Sequence, residues 1–354
     1  MLDFSNAADY DYNGDIIKDG CVTKALIFGI NGSGKSNLAL AVFDIILHLT
    51  DKERALDKYQ HYLNMDSDLD FAEFEYVFTF DGTEVVYLYR KHSPLDLVYE
   101  ELKIAGDVVL QYDFTGHSGV SRLQSQGVIN LMADDVIDDT GLSRVKYVKS
   151  NAMLKNDEVN RAFRAFTTFV DNMLMFYSLS ENRYQGLLVG TESYTHEIIK
   201  AGKLKDFEEF LRENGIDYEL MPVDTNGRKE IYCRFANAAV QMFSIASTGT
   251  KSLALFYYWY IKMGKASFVY IDEYDAFYHF ELSQKIVELV KALPDTQVVL
   301  STHNTDLISN DLLRPDAYFE IKDNEIKSFD KITDREIKKV HNLQKMYKAG
   351  EFDG

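Results

Sequence analysis

The chain has 354 residues, 46% of them hydrophobic, and is long enough to bury one large core or two lobes. Its formal net charge of −18 argues against a general nucleic-acid-binding surface, because acidic surfaces repel phosphates unless a local basic patch or a partner intervenes. The sequence has no signal peptide, no apolar run that could span a membrane and no metal or redox spacing between Cys21 and Cys233, so we expect a cytoplasmic protein without a membrane partner.

A short apolar run, a glycine-rich turn and a helix-like segment follow one another near the start of the chain. Residues 23–28, TKALIF, are predicted to form a buried strand, and residues 35–49, KSNLALAVFDIILHL, have the apolar spacing of a helix. The turn between them fits the G-x-x-x-x-G-K-[ST] phosphate loop, whose candidate nucleotide-binding residues are Gly29, Asn31, Gly32, Ser33, Gly34, Lys35, Ser36 and Asn37. In such a loop, N–H groups at the helix N-terminus hold phosphates, Lys35 meets the β and γ oxygens, and Ser36 ligates Mg²⁺.

An antiparallel β-rich lobe is predicted next. Residues 74–91 alternate aromatic and polar side chains around Asp81-Gly82, a two-residue hairpin signal. Two further strand-like runs, LVYEELKI and VVLQYDF, continue the antiparallel pattern.

Two helices and a second hairpin are predicted in the middle of the chain. From Asn156 to Leu179, apolar residues recur at helical spacing, which indicates a core or subunit-interface helix; they are Val159, Phe163, Phe166, Val170, Met173 and Tyr177. A second helix, LKDFEEFLRENG, is predicted to stop at Gly215, and a hairpin is predicted to turn at Asn226-Gly227.

The segment from Ser143 to Arg164 is the notable basic stretch of the sequence. Its cationic residues outnumber Asp157 and Glu158; they are Arg144, Lys146, Lys149, Lys155, Arg161 and Arg164. Two interpretations stay open: a solvated charged face, and a weak, sequence-independent contact with DNA.

After residue 235, strands and helices alternate, which is typical of an α/β domain. The run ASFVYI ends in Asp272-Glu273, where the first carboxylate could reach Mg²⁺ and the second could polarise a water that attacks a γ-phosphate. Ser247 and Gly249 open an apolar helix, either as an ordinary N-cap or as a second anion-binding helix N-terminus.

A histidine follows the next strand-like run. The segment QVVLST delivers His303 to the C-terminal end of a strand, the edge at which open α/β sheets bind ligands. A catalytic role for His303 therefore competes with a structural one.

In this order, the motifs resemble those of the ATP-binding cassette (ABC) class. The segment DEYDAFYH is similar to the DEVDAALD of structural-maintenance-of-chromosomes (SMC) heads, with His279 where their D-loop aspartate lies, a substitution shared with overcoming-lysogenization-defect (OLD) ATPases. The chain resembles more closely the prokaryotic AAA family fifteen ATPases of abortive-infection and restriction-linked loci. The segments that carry this resemblance are GSGKSNLALAVFDI, SIASTGTKSLALFYYW, IDEYDAFYHFEL, STHNTDL and HNLQKMYKAGEF.

The resemblance implies an α/β fold: an ABC-type P-loop ATPase head with a β-rich antiparallel lobe and a helical insertion. It divides the chain into an N-terminal ATPase half with the phosphate loop and the β lobe (1–120), a mainly helical insertion (121–235) and a C-terminal ATPase half with the signature, Walker B and switch histidine (236–354).

The resemblance also implies ATP and Mg²⁺ as cofactors and a homodimer or higher homo-oligomer. Ser36 and Asp272 would bind the metal, and Glu273 and His303 would be catalytic. The signature residues of one subunit would cap the γ-phosphate held by the other; they are Ser247 and Gly249.

The sequence departs from this class in three ways. The strand whose aromatic residue stacks on adenine is expected before MLDFSNAADYDY, and Gln111 is only a candidate for the Q-loop residue, since an ordinary strand glutamine is the simpler interpretation. The chain ends about 50 residues after His303, so we expect any effector to act in trans.

Three functions compete. The leading hypothesis is an ATPase subunit of an antiphage defence or toxin-type system, in which an ATP-sandwiched dimer controls an effector nuclease or toxin encoded nearby. The alternative is a DNA repair or chromosome-associated, SMC-like ATPase, and a transporter's nucleotide-binding subunit comes third.

Overall fold

The computed structural model describes residues 1–5, 7–52, 56–127, 141–178, 183–187, 194–225 and 227–352. The chain divides into two compact units. The first comprises Met1–Asn37, Leu174–Tyr184 and Val189–Gly354, and the second comprises Leu38–Met173 and Gln185–Leu188. The boundaries that we predict at residues 120 and 235 do not coincide with these limits, and the three-part division stays a prediction.

Strands and helices occur in groups along the described chain, and they alternate one by one only from α7 to β15. The strands are β1 (Ile17–Lys18), β2 (Cys21–Val22), β3 (Lys24–Phe28), β4 (Ala72–Phe80), β5 (Thr83–Ser93), β6 (Asp96–Ile104), β7 (Asp107–Asp113), β8 (Ser118–Ser121), β9 (Met173–Ser178), β10 (Arg183–Gly186), β11 (Leu220–Thr225), β12 (Arg228–Arg234), β13 (Ala239–Gln241), β14 (Phe268–Ile271), β15 (Gln297–Thr302), β16 (Tyr318–Lys322) and β17 (Glu325–Ser328). The α-helices are α1 (Lys35–Leu49), α2 (Arg144–Asn151), α3 (Glu158–Asp171), α4 (Tyr194–Lys200), α5 (Leu204–Glu213), α6 (Met242–Ile245), α7 (Thr248–Met263), α8 (Phe280–Lys291), α9 (Phe329–Ile332) and α10 (Leu343–Lys348).

The larger sheet is mixed, with its seven strands in the order β10-β9-β14-β15-β3-β16-β17. Strand β15 pairs in parallel with β14 and β3, β3 pairs in parallel with β16, and β17 runs antiparallel to β16. Strands β3, β14 and β15 are apolar runs that are almost entirely buried, as expected for parallel strands covered on both faces. The predicted α/β class is confirmed.

The register of these parallel strands brings their carboxyl ends together. Ile271 of β14 pairs with Leu300 of β15, and Thr302 of β15 pairs with Phe28 of β3. The segments that follow the three strands therefore leave the sheet at one edge.

The second unit contains a five-stranded antiparallel sheet in the order β4-β5-β6-β7-β8. Strands β4 and β5 are joined by Asp81 and Gly82, whose φ angles of 49° and 78° are both positive, as a two-residue hairpin of the primed type requires. The predicted β-rich lobe and its first hairpin are confirmed.

A small sheet, β11-β12-β13, follows helix α5. Gly215 has a φ of +80° directly after that helix, which confirms the predicted stop. Thr225 pairs with Arg228, so the hairpin turns between them as predicted, although Asn226 itself lies outside the described residues.

The predicted long helix from Asn156 to Leu179 is wrong in its second half. Helix α3 ends at Asp171, and residues from Met173 to Ser178 form strand β9 instead; Leu179 lies outside the described residues. The run MLMFYS is a continuous apolar segment beside β14, and such a short run cannot be assigned to helix or strand from periodicity alone.

Candidate functional site

The phosphate loop is a tight turn between β3 and α1. Gly32 and Gly34 have φ angles of +82° and +101°, a region that side chains disfavour. A Cβ added at Gly29 would lie 2.3 Å from the Ser33 hydroxyl oxygen, so only glycine fits there without rearrangement. That Ser33 oxygen is buried and has no hydrogen-bond partner among the described residues, which leaves a polar atom in the loop for a ligand.

Lys35 is buried at the first position of α1, with 5% of its surface exposed. Its Nζ donates to the carbonyl oxygens of Gly29 at 2.7 Å and Ile30 at 3.1 Å. Because these acceptors are neutral, the ammonium charge is held in place without being neutralised, as a phosphate-binding lysine requires.

Asp272 follows β14 and contacts the phosphate-loop helix. Its Oδ2 accepts a 2.5 Å hydrogen bond from the Ser36 hydroxyl, and its Oδ1 accepts one from the buried Ser301 hydroxyl of β15. Asp272 is buried, and both of these bonds come from uncharged hydroxyls. A carboxylate beside a serine oxygen is a donor set that suits Mg²⁺, so the residues fit the metal that the motif predicts.

Glu273 is exposed and has a φ of +44°, a backbone conformation that costs a non-glycine residue about 1–3 kcal/mol. Two bonds hold it there: its own N–H donates to the Ser301 hydroxyl at 2.9 Å, and the N–H of Tyr274 donates to the Ser301 carbonyl at 3.2 Å. Ser301 therefore fixes both Asp272 and the backbone of Glu273.

Sequence reasoning missed two supporting residues, Ser301 and Tyr270. The hydroxyl of Tyr270 donates to the Lys35 carbonyl at 3.3 Å, and burial together with nearby Asp272 raises the pKa of Tyr270, so it stays a proton donor. A serine two residues before His303 and a tyrosine two residues before Asp272 were the signals available in the sequence.

The signature residues lie at the N-terminus of α7. Ser247, an exposed residue, is the N-cap: its hydroxyl accepts from the N–H of Thr250 at 3.1 Å and lies 2.9 Å from the Thr250 hydroxyl. A Cβ at Gly249 would approach the carbonyl oxygen of Phe277 to 3.0 Å, so the signature turn lies against the loop that follows Glu273. The N-cap role of Ser247 is present, and a contact with a second nucleotide stays a proposal.

His303 directly follows β15 and is exposed. It leaves the sheet at the same edge as the phosphate loop and Asp272, as predicted. His279, at the D-loop position, is the exposed N-cap residue of α8, and its Nε2 lies 3.9 Å from the carboxylate of Glu281. Gln111 lies within β7, paired with Glu101 and Val120, which fits the ordinary strand interpretation.

Most cations of the predicted basic stretch contact other residues of the second unit. Arg144 is buried, with its guanidinium 4.2 Å from the ring centroid of Tyr112. Lys146 pairs with Asp51 at 2.7 Å, and Lys149 pairs with Asp171 at 2.6 Å. These three cations are therefore engaged by the fold. Arg161 also lies 3.9 Å from the carboxylate of Glu158, and Arg164 donates to the carbonyl oxygens of Leu154 and Lys155 at 2.8 and 2.9 Å.

Residues 24–309 match the protein family described as "AAA domain, putative AbiEii toxin, Type IV TA system". The chain belongs to this family. It carries an AAA-type P-loop ATPase domain, and such a domain implies ATP, usually with Mg²⁺. The resemblance to AAA family fifteen and to OLD ATPases is narrower than this match and stays a proposal.

The chain is also similar to solved structures of SMC heads. It has 17% identity and a TM-score of 0.45 to an Smc head bound to the C-terminal winged-helix domain of ScpA, covering 87% of this chain and 91% of that one. It has 14% identity and a TM-score of 0.37 to the SMC head domain of Thermotoga maritima, covering 83% of this chain and 84% of that one. A third similar structure is an Smc head with an extended coiled coil, bound to the C-terminal domain of ScpA derived from Pyrococcus furiosus. The identity is 16% and the TM-score 0.44, with 92% of each chain covered. Because all three TM-scores are below 0.5, these similarities assign no role to the residues of the site.

No curated protein matches the chain. None of the helices in the described ranges is both long and apolar enough to cross a membrane.

Proposed function

We propose that the protein is a Mg²⁺-dependent ATPase subunit of an ABC/OLD-like antiphage defence system, in which an ATP-sandwiched dimer controls an effector. One observation carries the ATPase proposal: the 2.5 Å hydrogen bond from Ser36 to Asp272 brings the phosphate-loop helix and the acidic strand end to one point. Both are motif residues, and they are 236 positions apart in the sequence.

The loop binds and orients the nucleotide. Backbone N–H groups at the start of α1 and the Lys35 ammonium receive the phosphates, in exchange for the carbonyl contacts that Lys35 makes here. Ser36 and Asp272 would hold Mg²⁺, which neutralises phosphate charge when bound.

Glu273 is the general base of this proposal. Its carboxylate is exposed beside the metal ligand Asp272 and is free to take a proton from the attacking water. His303, at the same edge of the sheet, would contact the γ-phosphate.

The signature surface supports a site shared by two copies. Ser247 is an exposed residue at the N-terminus of a 16-residue helix, where the helix dipole favours an anion. Two apolar side chains beside this helix start are also exposed: Ile245, just before Ser247, by 42%, and Phe277, whose carbonyl lies against Gly249, by 36%. Both features suit an interface that forms around bound ATP.

Purified heterodimers test the shared site. A dimer of one Lys35→Ala chain and one Ser247→Arg chain has one intact composite site, whereas a dimer of wild type and the Lys35→Ala/Ser247→Arg double variant has none. We expect ATPase activity, near half that of wild type when the two sites act independently, only in the first dimer. Activity only in the second would show that each subunit contains its own complete site.

The effector role rests on two supports. The description of the matched family names a putative toxin and a type IV toxin–antitoxin system, and the sequence resembles abortive-infection ATPases. An effector gene next to this one would support the proposal, and a permease gene would favour the transporter function.

The alternative, a DNA repair or chromosome ATPase, is favoured only by the basic stretch. With five of its six cations in contacts within the second unit, we expect weak, sequence-independent DNA binding with a shallow salt dependence. Tight binding by the isolated protein at physiological salt would promote the alternative.

A further inference from the structure

The segment after His303 is attached to the carboxyl-terminal part of the chain. Strand β15 fixes the histidine from one side, since Thr302 is its last residue. Within the part of the chain that the structure describes, no hydrogen bond or ion pair involves the side chain of His303. Its position therefore depends on the backbone that follows it, residues 304–310, which we call the switch loop.

The switch loop is a chain of local hydrogen bonds. The N–H of Asn304 donates to the Thr302 hydroxyl at 2.9 Å, and the Asn304 side chain accepts from the N–H of Asp306 at 3.1 Å. This second bond caps a short 3₁₀ turn, Thr305–Leu307, whose Leu307 is fully buried.

Two residues of the switch loop, Asp306 and Asn310, contact the carboxyl-terminal segment 338–348. The Asp306 carboxylate accepts from the Gln344 side-chain amide and, at 3.1 Å, from the Lys348 ammonium. The buried Asn310 side chain lies with its Nδ2 within 3.0–3.3 Å of three carbonyl oxygens, those of Lys338, Lys339 and His341.

The carboxyl-terminal segment is itself anchored to the first unit. Leu343 and Met346 of α10 are buried. The hydroxyl of Tyr347 donates to Glu320 of β16 at 2.7 Å, and its ring stacks on Phe329 at a centroid distance of 5.6 Å. Because these contacts fix the segment, the segment can in turn restrict the movement of the switch loop that it contacts.

We propose that segment 338–348 is a positioning element for His303: it fixes the switch loop through Asp306 and Asn310. This proposal rests on the proposed ATPase function. It assigns a role to HNLQKMYKAGEF, the motif of the sequence that the nucleotide site does not use. Gln344 and Asn310 are positioning residues and do not touch the nucleotide.

The test uses Gln344→Ala and Asn310→Ala in the full chain, with Lys345→Ala as the matched control, because Lys345 is exposed on the same helix. We expect both test variants to lower kcat about 10-fold at an unchanged KM for ATP, within the roughly 100-fold that a misplacement of 1 Å can cost. Lys345→Ala should hydrolyse ATP like wild type. If Asn310→Ala does not fold, Gln344→Ala still provides the test, because the contact between Gln344 and Asp306 lies at the surface.

A double-variant cycle separates positioning from general stability. If Gln344 acts through His303, His303→Ala/Gln344→Ala should be no slower than His303→Ala alone. Equal slowing by Gln344→Ala in both backgrounds would overturn the proposal.

Hydrogen exchange tests the contact without ATP. Amides of Asn304 and Asp306 should exchange about tenfold faster in Gln344→Ala than in Lys345→Ala, because the loop opens more often. Unchanged exchange would overturn the proposal whatever the ATPase rates. A wild-type protein without ATPase activity would overturn the proposed function instead, and exchange would still decide whether the segment holds the loop.

Discussion

Lys91 and Asp44 of the second unit and Lys35 and Asp272 of the first are all buried, and the two units use these side chains in opposite ways. In the second unit, Lys91 and Asp44 are fully buried and form a direct 2.7 Å ion pair. In the first unit, Lys35 bonds to loop carbonyls and Asp272 to serine hydroxyls.

The surroundings reinforce the difference. Asp44 also accepts from the hydroxyls of Tyr89 and Tyr62, both at 2.8 Å, which completes a closed network inside the antiparallel lobe. Burial lowers the pKa of Lys91 despite its partner. Charges that neutralise each other support a fold, whereas buried charges held by neutral groups remain available to a charged ligand.

The largest expected effect is on hydrolysis. Glu273→Gln removes the proposed general base and preserves the size of the side chain at its strained position, so kcat should fall by about 10²- to 10⁴-fold with ATP binding intact. Steady-state phosphate release measures this, with Glu281→Gln as an exposed control on α8. Turnover near the wild-type rate would place the base elsewhere.

Substitutions in the closed network should lower the stability of the protein and leave its affinity for ATP unchanged. Lys91→Met leaves the Asp44 carboxylate buried without its cation, and we expect the free energy of unfolding to fall by about 3–5 kcal/mol in urea titrations. Lys91→Met/Asp44→Asn should recover part of this loss. A stable Lys91→Met protein with weakened ATP binding would contradict the division of roles.

Ser301→Ala tests how the open site is held. It removes the hydroxyl that contacts Asp272 and the N–H of Glu273, and we expect kcat to fall by about tenfold, a smaller loss than at the base itself. Ser283→Ala is the control, because the hydroxyl of this buried serine of α8 bonds only to the carbonyl of His279 among the contacts described. Equal kcat in the two variants would show that Ser301 is merely structural.

The smallest expected effect is the pH dependence of stability, which we assign to His48, a buried residue of α1 whose ring centroid lies 4.4 Å from that of Tyr89. Burial, with Lys91 and Lys146 nearby, lowers the pKa of His48 well below 6.5. Below pH 6.5 the unfolded chain therefore binds a proton that the folded chain does not, and stability falls as pH falls, by about 1 kcal/mol between pH 7 and 5.5.

Comparison with His48→Gln isolates this contribution. Burial raises the pKa of Glu100, which acts in the opposite direction but equally in both proteins. Parallel stability curves for the two proteins would show that His48 is not the group responsible.

Much of the site could be predicted because its signals are local. The glycine pattern and the 3.6-residue spacing predicted a helix from Lys35 to Leu49, and these are the observed bounds of α1. The rule that open α/β sheets bind ligands at the carboxyl ends of their strands predicted that His303 would lie at this edge, and the strand that it follows, β15, pairs with β14.

The remaining features depend on contacts distant in sequence. Ser301 matters because β15 lies beside β14 in one register, which sequence spacing does not reveal. Strand β9 was predicted as helix because its apolar run satisfies both periods, and only its place in the sheet decides between them.

The central claim is that Lys35 is held uncompensated in order to bind ATP, and calorimetry with Mg²⁺ and ATP tests it most directly. Lys24 is the matched control: it is also buried, at the other end of β3, and its Nζ also donates to a carbonyl, that of Thr296 at 2.6 Å. We predict that Lys35→Ala gives no binding heat, because the charge opposite the β and γ phosphates is lost, and that Lys24→Ala binds like wild type. Wild-type affinity in Lys35→Ala would contradict the account.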